Sequence, residues 1–394
     1  MSTPSLSALP DAQRVPLQRR SFFGACLAHL MHDGYTDQLY VLLPLWQSEF
    51  GLGYAGLAVV RFLYYGTMGT LQVPGDRWIS RLHPRASLTL ATAVAACGYF
   101  LMALPLGLSG LCAGLIVAGM GSSIQHPRAS LLVTAAYPAE SRGPLGVYNF
   151  SGDLGKAIFP LAAAAMLPVL SWRSVTGVMG GVGMLAAVIL WSLIPKAAST
   201  RAPVDEHAAS RGGRGFWLLA GIGVLDTAPR MGYLLFLPFL IRARGGSEAT
   251  LGLGLALVFI GGAFGKALCG WLGRSIGVVA SVIATEAATA LLIVATLFVP
   301  LVPVLLLLPV LGVALNGTSS VLYGTVPELA PRGDVGRAFA IFYTGTIGSG
   351  ALAPIVYGFI ADHSSRDIGT IAAALTAACI VPLILALRPA LRKV

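Results

Sequence analysis

The side chains best equipped for chemistry lie together in Ala28-His29-Leu30-Met31-His32-Asp33-Gly34-Tyr35-Thr36-Asp37-Gln38. On a helix His29, Asp33 and Asp37 follow one another at i, i+4 spacing and share a face, with His32 beside it. A carboxylate next to histidine changes protonation within reach of physiological pH, so this group can relay protons. The same residue types at that spacing can also bind a divalent metal. A third reading is that His29 and His32 only hydrogen-bond neighbouring helices. The run sits inside an apolar stretch from Ser21 to Trp46, long enough to cross a bilayer. Ionisable groups at that depth are costly and face a bundle interior or a water-filled path, so this helix is expected to line a route through a membrane.

Five basic residues fall within apolar stretches: Arg61, Arg128, Lys156, Arg230 and Lys266. Five acids join them: Asp33, Asp37, Asp153, Asp226 and Glu286. Each costs about 2.5–3.5 kcal/mol at a helix centre, so all need partners, water or a ligand. Asp226 and Arg230 (i, i+4) and Asp153 and Lys156 (i, i+3) can satisfy each other. Lys266 and Arg128 lie towards span ends, where snorkelling or gate contacts suffice, whereas Arg61 lies deeper. The functional reading is that Arg61, Arg128, Lys156 and Arg230 converge on an anion, because a guanidinium fork matches carboxylate, phosphate or phosphonate oxygens. Asp33 or Asp37, assisted by His29 or His32, would take up and release a proton, with Asp153 and Asp226 as further candidates. Tyr35, Tyr64, Tyr65, Tyr148, Tyr233, Tyr343 and the Asn316 amide can line the same path, although any one such tyrosine is more often a packing residue than a contact.

The elements that position these residues follow from composition. The chain of 394 residues is 56% hydrophobic and 11% charged, against roughly 25% charged in soluble domains. We expect an all-α membrane protein of twelve spans, near 21–46, 54–73, 86–106, 110–136, 144–170, 172–194, 215–241, 249–271, 279–299, 301–328, 336–361 and 369–388. The polar start with Arg14, Arg19 and Arg20 carries no small-residue cleavage site, so the first span is expected to be retained. With the N-terminus inside, seventeen Lys/Arg fall in cytoplasmic segments and only Arg173, Arg242, Arg244 and Arg366 outside, which puts both termini in the cytoplasm. All six tryptophans (Trp46, Trp78, Trp172, Trp191, Trp217, Trp271) fall at span ends, where an interfacial belt belongs. The net charge of +10 is scattered over short loops, which argues against nucleic acid. The five cysteines form no CxxC pair and read as packing residues. Residues 1–20 read as a cytoplasmic tail, 21–194 and 215–388 as six-helix bundles, 195–214 as a flexible linker and 389–394 as a second tail. The bundles repeat at a constant offset: Leu43-Pro44-Leu45 matches Leu237-Pro238-Phe239, Glu140 matches Asp334, and Pro160 matches Pro354. Paired repeats with a midplane site between them are a transporter architecture. In span four, Pro127 is expected to bend the helix, and Gly121, Ser122 and Ser123 to allow close helix approach. No nucleophile–base motif, phosphate loop or soluble domain suggests an enzyme, and no cofactor is expected.

Twelve spans in two halves with a basic turn after the second resemble the major facilitator superfamily. Within it the chain is most similar to the fosmidomycin-resistance proteins. The matching pieces are Ala28-His29-Leu30 with Asp33, Leu43-Pro44-Leu45 with Ser48-Glu49-Phe50, Gly119-Met120-Gly121-Ser122-Ser123-Ile124-Gln125-His126-Pro127, and Gly358-Phe359-Ile360-Ala361-Asp362-His363-Ser364. The resemblance implies a bacterial inner-membrane efflux transporter that works by alternating access as a monomer, with a small organic anion, protons and membrane lipid as its partners. Uptake of an anionic nutrient or metal–carboxylate siderophore is the alternative, and a divalent-metal transporter using the His/Asp group a second. The chain departs from the family where the turn Pro74-Gly75-Asp76-Arg77-Trp78-Ile79-Ser80-Arg81 has Ser80 at the aspartate's place. In the second half Arg274 stands where an acid is common. The gate group is therefore expected to comprise Asp76, Arg77, Arg81, Lys266 and Arg274 in an altered network. Asp153, Lys156 and Arg128 also depart from the pattern, so the family's substrate does not transfer intact.

Overall fold

A computed structural model describes residues 10–79, 82–137, 142–196, 213–330 and 335–391. These residues form helices: α1 (Asp11–Phe50), α2 (Tyr54–Ile79), α3 (Pro84–Ala103), α4 (Gly107–Ala136), α5 (Arg142–Met166), α6 (Trp172–Leu193), α7 (Arg214–Ala243), α8 (Glu248–Ser275), α9 (Val278–Phe298), α10 (Leu301–Leu329), α11 (Val335–His363), α12 (Arg366–Ala378) and α13 (Ile380–Leu391). α1 to α11 take one expected span each. The twelfth is in two pieces, because Pro382 has no N–H to donate to the Ala378 carbonyl and the ladder breaks around Cys379. Among the described residues nine helices are long and apolar enough to cross a membrane, α12 and α13 counting as one. The other three, α1, α2 and α5, carry His29, His32, Asp33, Asp37, Arg61, Asp153 and Lys156 between them.

The described chain falls into two compact units, Met1–Leu39 with Val60–Val204 and Tyr40–Val59 with Asp205–Val394. In the first, α3 lies flat against α4. A Cβ on Gly121 would stand 2.4 Å from the Ala95 nitrogen and 2.5 Å from the Ala91 carbonyl, so only glycine admits this approach. α1 begins ten residues before its expected span. Arg20 accounts for part of that extension, donating to the carbonyls of Leu193 (3.1 Å) and Ser192 (2.7 Å) at the end of α6, and Gln18 donates to Ala136 (2.8 Å) at the end of α4. These side chains satisfy carbonyls that a helix end leaves unpaired.

In the second unit α8 packs on α10, and α7 on α11, around a core that includes Phe216, Leu219, Leu322, Phe342 and Ile384. Asp362, at the end of the Gly358–Ser364 motif, accepts hydrogen bonds from the Tyr54 (2.7 Å) and Ala55 (2.9 Å) backbone amides that open α2. The tryptophans divide. Trp78, Trp191, Trp217 and Trp271 are exposed, as a belt requires, but Trp46 is fully buried and Trp172 nearly so. Trp46 ends a buried run with Leu42 and Leu43, so α1 meets protein there, and Trp172 is covered by the Arg173 guanidinium 4.3 Å above its ring. All five cysteines are free thiols. The 195–214 linker, the Glu140/Asp334 match and the last three residues lie outside or partly outside the described residues.

Candidate functional site

α1 positions the first-unit site through its own periodicity. His29 and Asp33, one turn apart, close at 3.3 Å between Nε2 and Oδ2, and His32 Nε2 stands 3.7 Å from the other carboxylate oxygen. α5 supplies the counter-charge: Lys156 Nζ is 3.3 Å from Asp33 Oδ2 and 3.8 Å from Asp153 Oδ1. The expected Asp153–Lys156 pair therefore forms, with Asp33 as its nearer third member. The approach depends on Gly152, because a Cβ there would stand 2.6 Å from both Asp33 Oδ2 and the His29 ring. Asp33 has 14% of its side chain exposed and Lys156 26%, so the lysine is the end of this group open to a ligand.

Two residues join the site that the residue types in α1 did not announce. His126 lies 5.0 Å from His29 and 5.9 Å from His32 between ring centroids. Tyr148 stacks on His29 at 4.1 Å, its carbonyl accepts from or faces His29 Nδ1 at 2.9 Å, and its hydroxyl reaches His126 Nδ1 at 3.4 Å. The sequence held a signal for this: a histidine inside an apolar span needs a polar partner as much as His29 does, whereas His126 reads at first only as the neighbour of a helix-bending proline. Gln125 lies against His32 and donates to Thr92 Oγ1 at 2.6 Å, tying α4 to α3 behind the site. With two carboxylates, three imidazoles and an ammonium gathered together, the group can pass a proton among its members or exchange the lysine's carboxylate partners for those of a ligand. Among the described residues no set of three His, Cys, Asp or Glu side chains is disposed to hold a metal ion.

The other expected site residues are distributed as follows. Asp37 is buried one turn along α1 from Asp33. Arg61 is buried with its guanidinium 5.1 Å above the Tyr65 ring, and Arg128 is buried on α4. Tyr35 and Tyr64 are core residues: Tyr35 donates to the Met179 carbonyl at 2.7 Å and stacks on Tyr99, and the Tyr64 hydroxyl is 2.6 Å from Ser122 Oγ. Their hydroxyls are committed to protein partners. Asn316 donates to its own helix at Gly312 and fills the groove at Gly262. In the second unit the expected Asp226–Arg230 pair is corrected. Arg230 turns to Thr227 Oγ1 at 3.5 Å, and the Asp226 carboxyl lies in hydrogen-bonding contact with Glu286 on α9. Of the gate group, Lys266 is half-buried and its carbonyl accepts from Ser320 Oγ (3.2 Å), while Arg274 is exposed in the last turn of α8, where a cation favours the helix dipole. The side chains of Asp76 and Arg77, and all of Arg81, lie outside the described residues.

The family profile of the Major Facilitator Superfamily matches residues 21–220 and 219–394. The chain is 23% identical over 362 residues to the Fosmidomycin resistance protein of Escherichia coli (strain K12), covering 87% of this chain and 86% of that one. It is 25% identical over 150 residues to the Probable L-galactonate transporter of the same organism, covering 36% of this chain and 32% of the relative. Among solved structures it is similar to a bacterial homologue of the human lysosomal transporter Spinster, in an inward-facing and unoccupied conformation, with a TM-score of 0.74, 16% identity and 95% and 97% of the two chains covered. It is also similar to a POT family transporter in complex with 5-aminolevulinic acid, with a TM-score of 0.75, 13% identity and 94% and 96% covered.

Proposed function

The chain belongs to the Major Facilitator Superfamily of membrane transporters, and from that premise we propose that it moves a small organic anion in exchange for, or together with, protons. The observation that carries the reading is Lys156, an ammonium at membrane depth shared between Asp33 and Asp153 and partly open to a ligand. A carboxylate or phosphonate arriving at Lys156 takes over the charge that Asp33 was neutralising. Asp33 then gains a proton, directly or through His29 and His32, because a carboxylate stripped of its counter-ion is costly in this setting. Anion and proton binding are thereby coupled through one lysine. Arg61 and Arg128 extend the cationic character of this unit, and Asp37 is a further acid on the same helix face.

Export, at the bacterial inner membrane with both termini cytoplasmic, rests on the similarity to the Fosmidomycin resistance protein. A second reading, uptake by symport, draws on the Asp33–Lys156 pair itself: if the anion promotes protonation of Asp33, the two bind together and an inward proton gradient drives both in. The name of the second relative, a probable transporter of a sugar-acid anion, fits that substrate class. The test is proton uptake or release on binding. Purified protein in weakly buffered solution is mixed with a panel of carboxylates, phosphonates and neutral sugars. Ligand-dependent alkalinisation supports co-binding and acidification supports exchange. If no anion in the panel stabilises the protein against thermal unfolding, while neutral or cationic compounds do, the anion reading fails.

A further inference from the structure

The second unit holds an acidic group that anion binding does not use. Asp226 on α7 and Glu286 on α9 are almost fully buried, Glu286 with 2% of its surface exposed, and their carboxyls are in hydrogen-bonding contact. A hydrogen bond between two carboxyl oxygens requires a proton, since neither carboxylate can donate. Arg230 and Cys269 are the other titratable groups whose charge reaches the pair among the described residues. Arg230 is half-buried and bonded to Thr227, and it closes no ion pair with Asp226. Two ionised carboxyls beside one guanidinium would leave a net negative charge in a low-dielectric interior, whereas one proton brings the group to neutrality.

A second observation marks this as a place where a proton resides. Among the described residues Glu286 Oε2 has no hydrogen-bond partner, and neither does Thr289 Oγ1, buried three residues further along α9. Thr318 on α10 lies against the Glu286 carboxyl, and its hydroxyl donates to Thr285 Oγ1 at 2.8 Å. A buried carboxyl oxygen without a donor is costly as a carboxylate and tolerable as part of a neutral acid.

We infer that Asp226 and Glu286 share one proton in the resting protein and form a proton-binding site in the second unit, separate from the Asp33–Lys156 group. On proton loss the O–H bond of the shared acid breaks, the proton passes to water, and both groups become carboxylates with Arg230 as their nearest cation. The inference extends the proton-coupled reading above, but its test needs no substrate.

The experiment is infrared spectroscopy of the purified full-length protein in lipid across a pH series, in H2O and D2O. The expected result is a protonated-carboxyl C=O band at neutral pH that shifts in D2O and fades at alkaline pH. Glu286→Gln and Asp226→Asn should each remove it, and Asp33→Asn should leave it in place. Glu286→Asp, which keeps a carboxyl at the site, serves as a second variant and should move the band without abolishing it. Absence of a protonated-carboxyl band from the wild-type protein at neutral pH overturns the inference with no variant needed. A band unchanged in both pair variants overturns it as well. A failed anion screen leaves all of these outcomes readable, so the two readings can fail separately.

Discussion

The two units carry the same positions with opposite electrostatics. At the offset that maps Leu43 onto Leu237, His32 corresponds to Asp226, Thr92 to Glu286 and Gln125 to Ser319. In the first unit the three residues are uncharged side-chain types or an imidazole, with Gln125 lying against His32 and donating to Thr92. In the second, the equivalents on α7 and α9 are two carboxyls in contact, with Thr318 and Thr285 beside them. The first-unit group places its one closely paired carboxylate, Asp33, among a lysine and two histidines. The second has two acids and an arginine that pairs with neither. One backbone plan therefore carries a lysine-centred group in one half and a pair of carboxyls in the other, and a handful of side chains makes the difference.

The largest expected effect comes from removing the cation that defines the first site. Lys156→Met leaves Asp33 and Asp153 buried without their ammonium. Removing one partner of a buried pair costs roughly 3–5 kcal/mol, and the partial exposure of Lys156 places this change at the lower end. Thermal unfolding in detergent should show the loss, and anion-dependent stabilisation should disappear with it. Adding Asp33→Asn should recover part of the stability without the anion response. Full stability of Lys156→Met would mean that Asp33 is already neutral, which would erase the contrast between the units.

Next in size is Gly152→Ala. The added methyl would stand 2.6 Å from Asp33 and His29, so α1 and α5 must separate or the histidine must turn. Because misplacement by about 1 Å can cost on the order of 100-fold in rate, transport in proteoliposomes should fall by one to two orders of magnitude. Stability should fall less, since the strain can relax through the two side chains. Unchanged transport would show that the Asp33–His29 contact is not part of the working site.

The fold was legible because it rests on signals that repeat. Apolar stretches of spanning length, short turns and the offset between halves are each stated many times along the chain. The broken last span was not, because it depends on the single donor that Pro382 lacks. The site was half legible. The His29–Asp33 and Asp153–Lys156 contacts follow from helical spacing, whereas the shorter Asp33–Lys156 contact joins two helices. His126, Tyr148, Gln125 and Gly152 reach the same place from α4 and α5, and no spacing within one helix announces that. Local spacing also misled: Asp226 and Arg230 are one turn apart, yet the tertiary partner on α9 takes the carboxyl. Trp46 fails for the same reason, being at a span end by sequence and inside the protein by packing.

A smaller effect separates the two equivalent residues Gln125 and Ser319. Gln125→Ser places in the first unit the residue found at the equivalent position of the second. It removes the donor to Thr92 and leaves His32 without its amide neighbour. A buried hydrogen bond contributes about 1 kcal/mol net, and the truncation adds a small cavity cost, so a loss of about 1–2 kcal/mol is expected in thermal unfolding. The reciprocal Ser319→Gln adds volume where Ser319 is already buried and bonded to Asn316. It should also destabilise, by overpacking, and a neutral result would mean that the α9–α10 contact is looser than its first-unit counterpart.

The smallest effect is expected where the comparison is sharpest. Asp226→Asn replaces a carboxyl with an amide of nearly the same shape, and the amide brings its own N–H. If a proton holds Asp226 to Glu286, the asparagine can donate to the Glu286 carboxylate in its place, and Arg230 still balances the remaining charge. Stability at neutral pH should then change by less than about 1 kcal/mol, the size of one neutral hydrogen bond. The same substitution at Asp33 removes a carboxylate that a lysine and two histidines attend, and should cost more. The two variants also differ in their response to base: the wild-type pair can lose its shared proton as pH rises, whereas the amide N–H stays. Asp226→Asn should therefore hold its melting temperature further into the alkaline range than the wild type. Equal costs for Asp33→Asn and Asp226→Asn, or an alkaline profile unchanged by the latter, would show that the second unit's acids are held apart from each other as ions, and that the two halves differ in residue type but not in charge state.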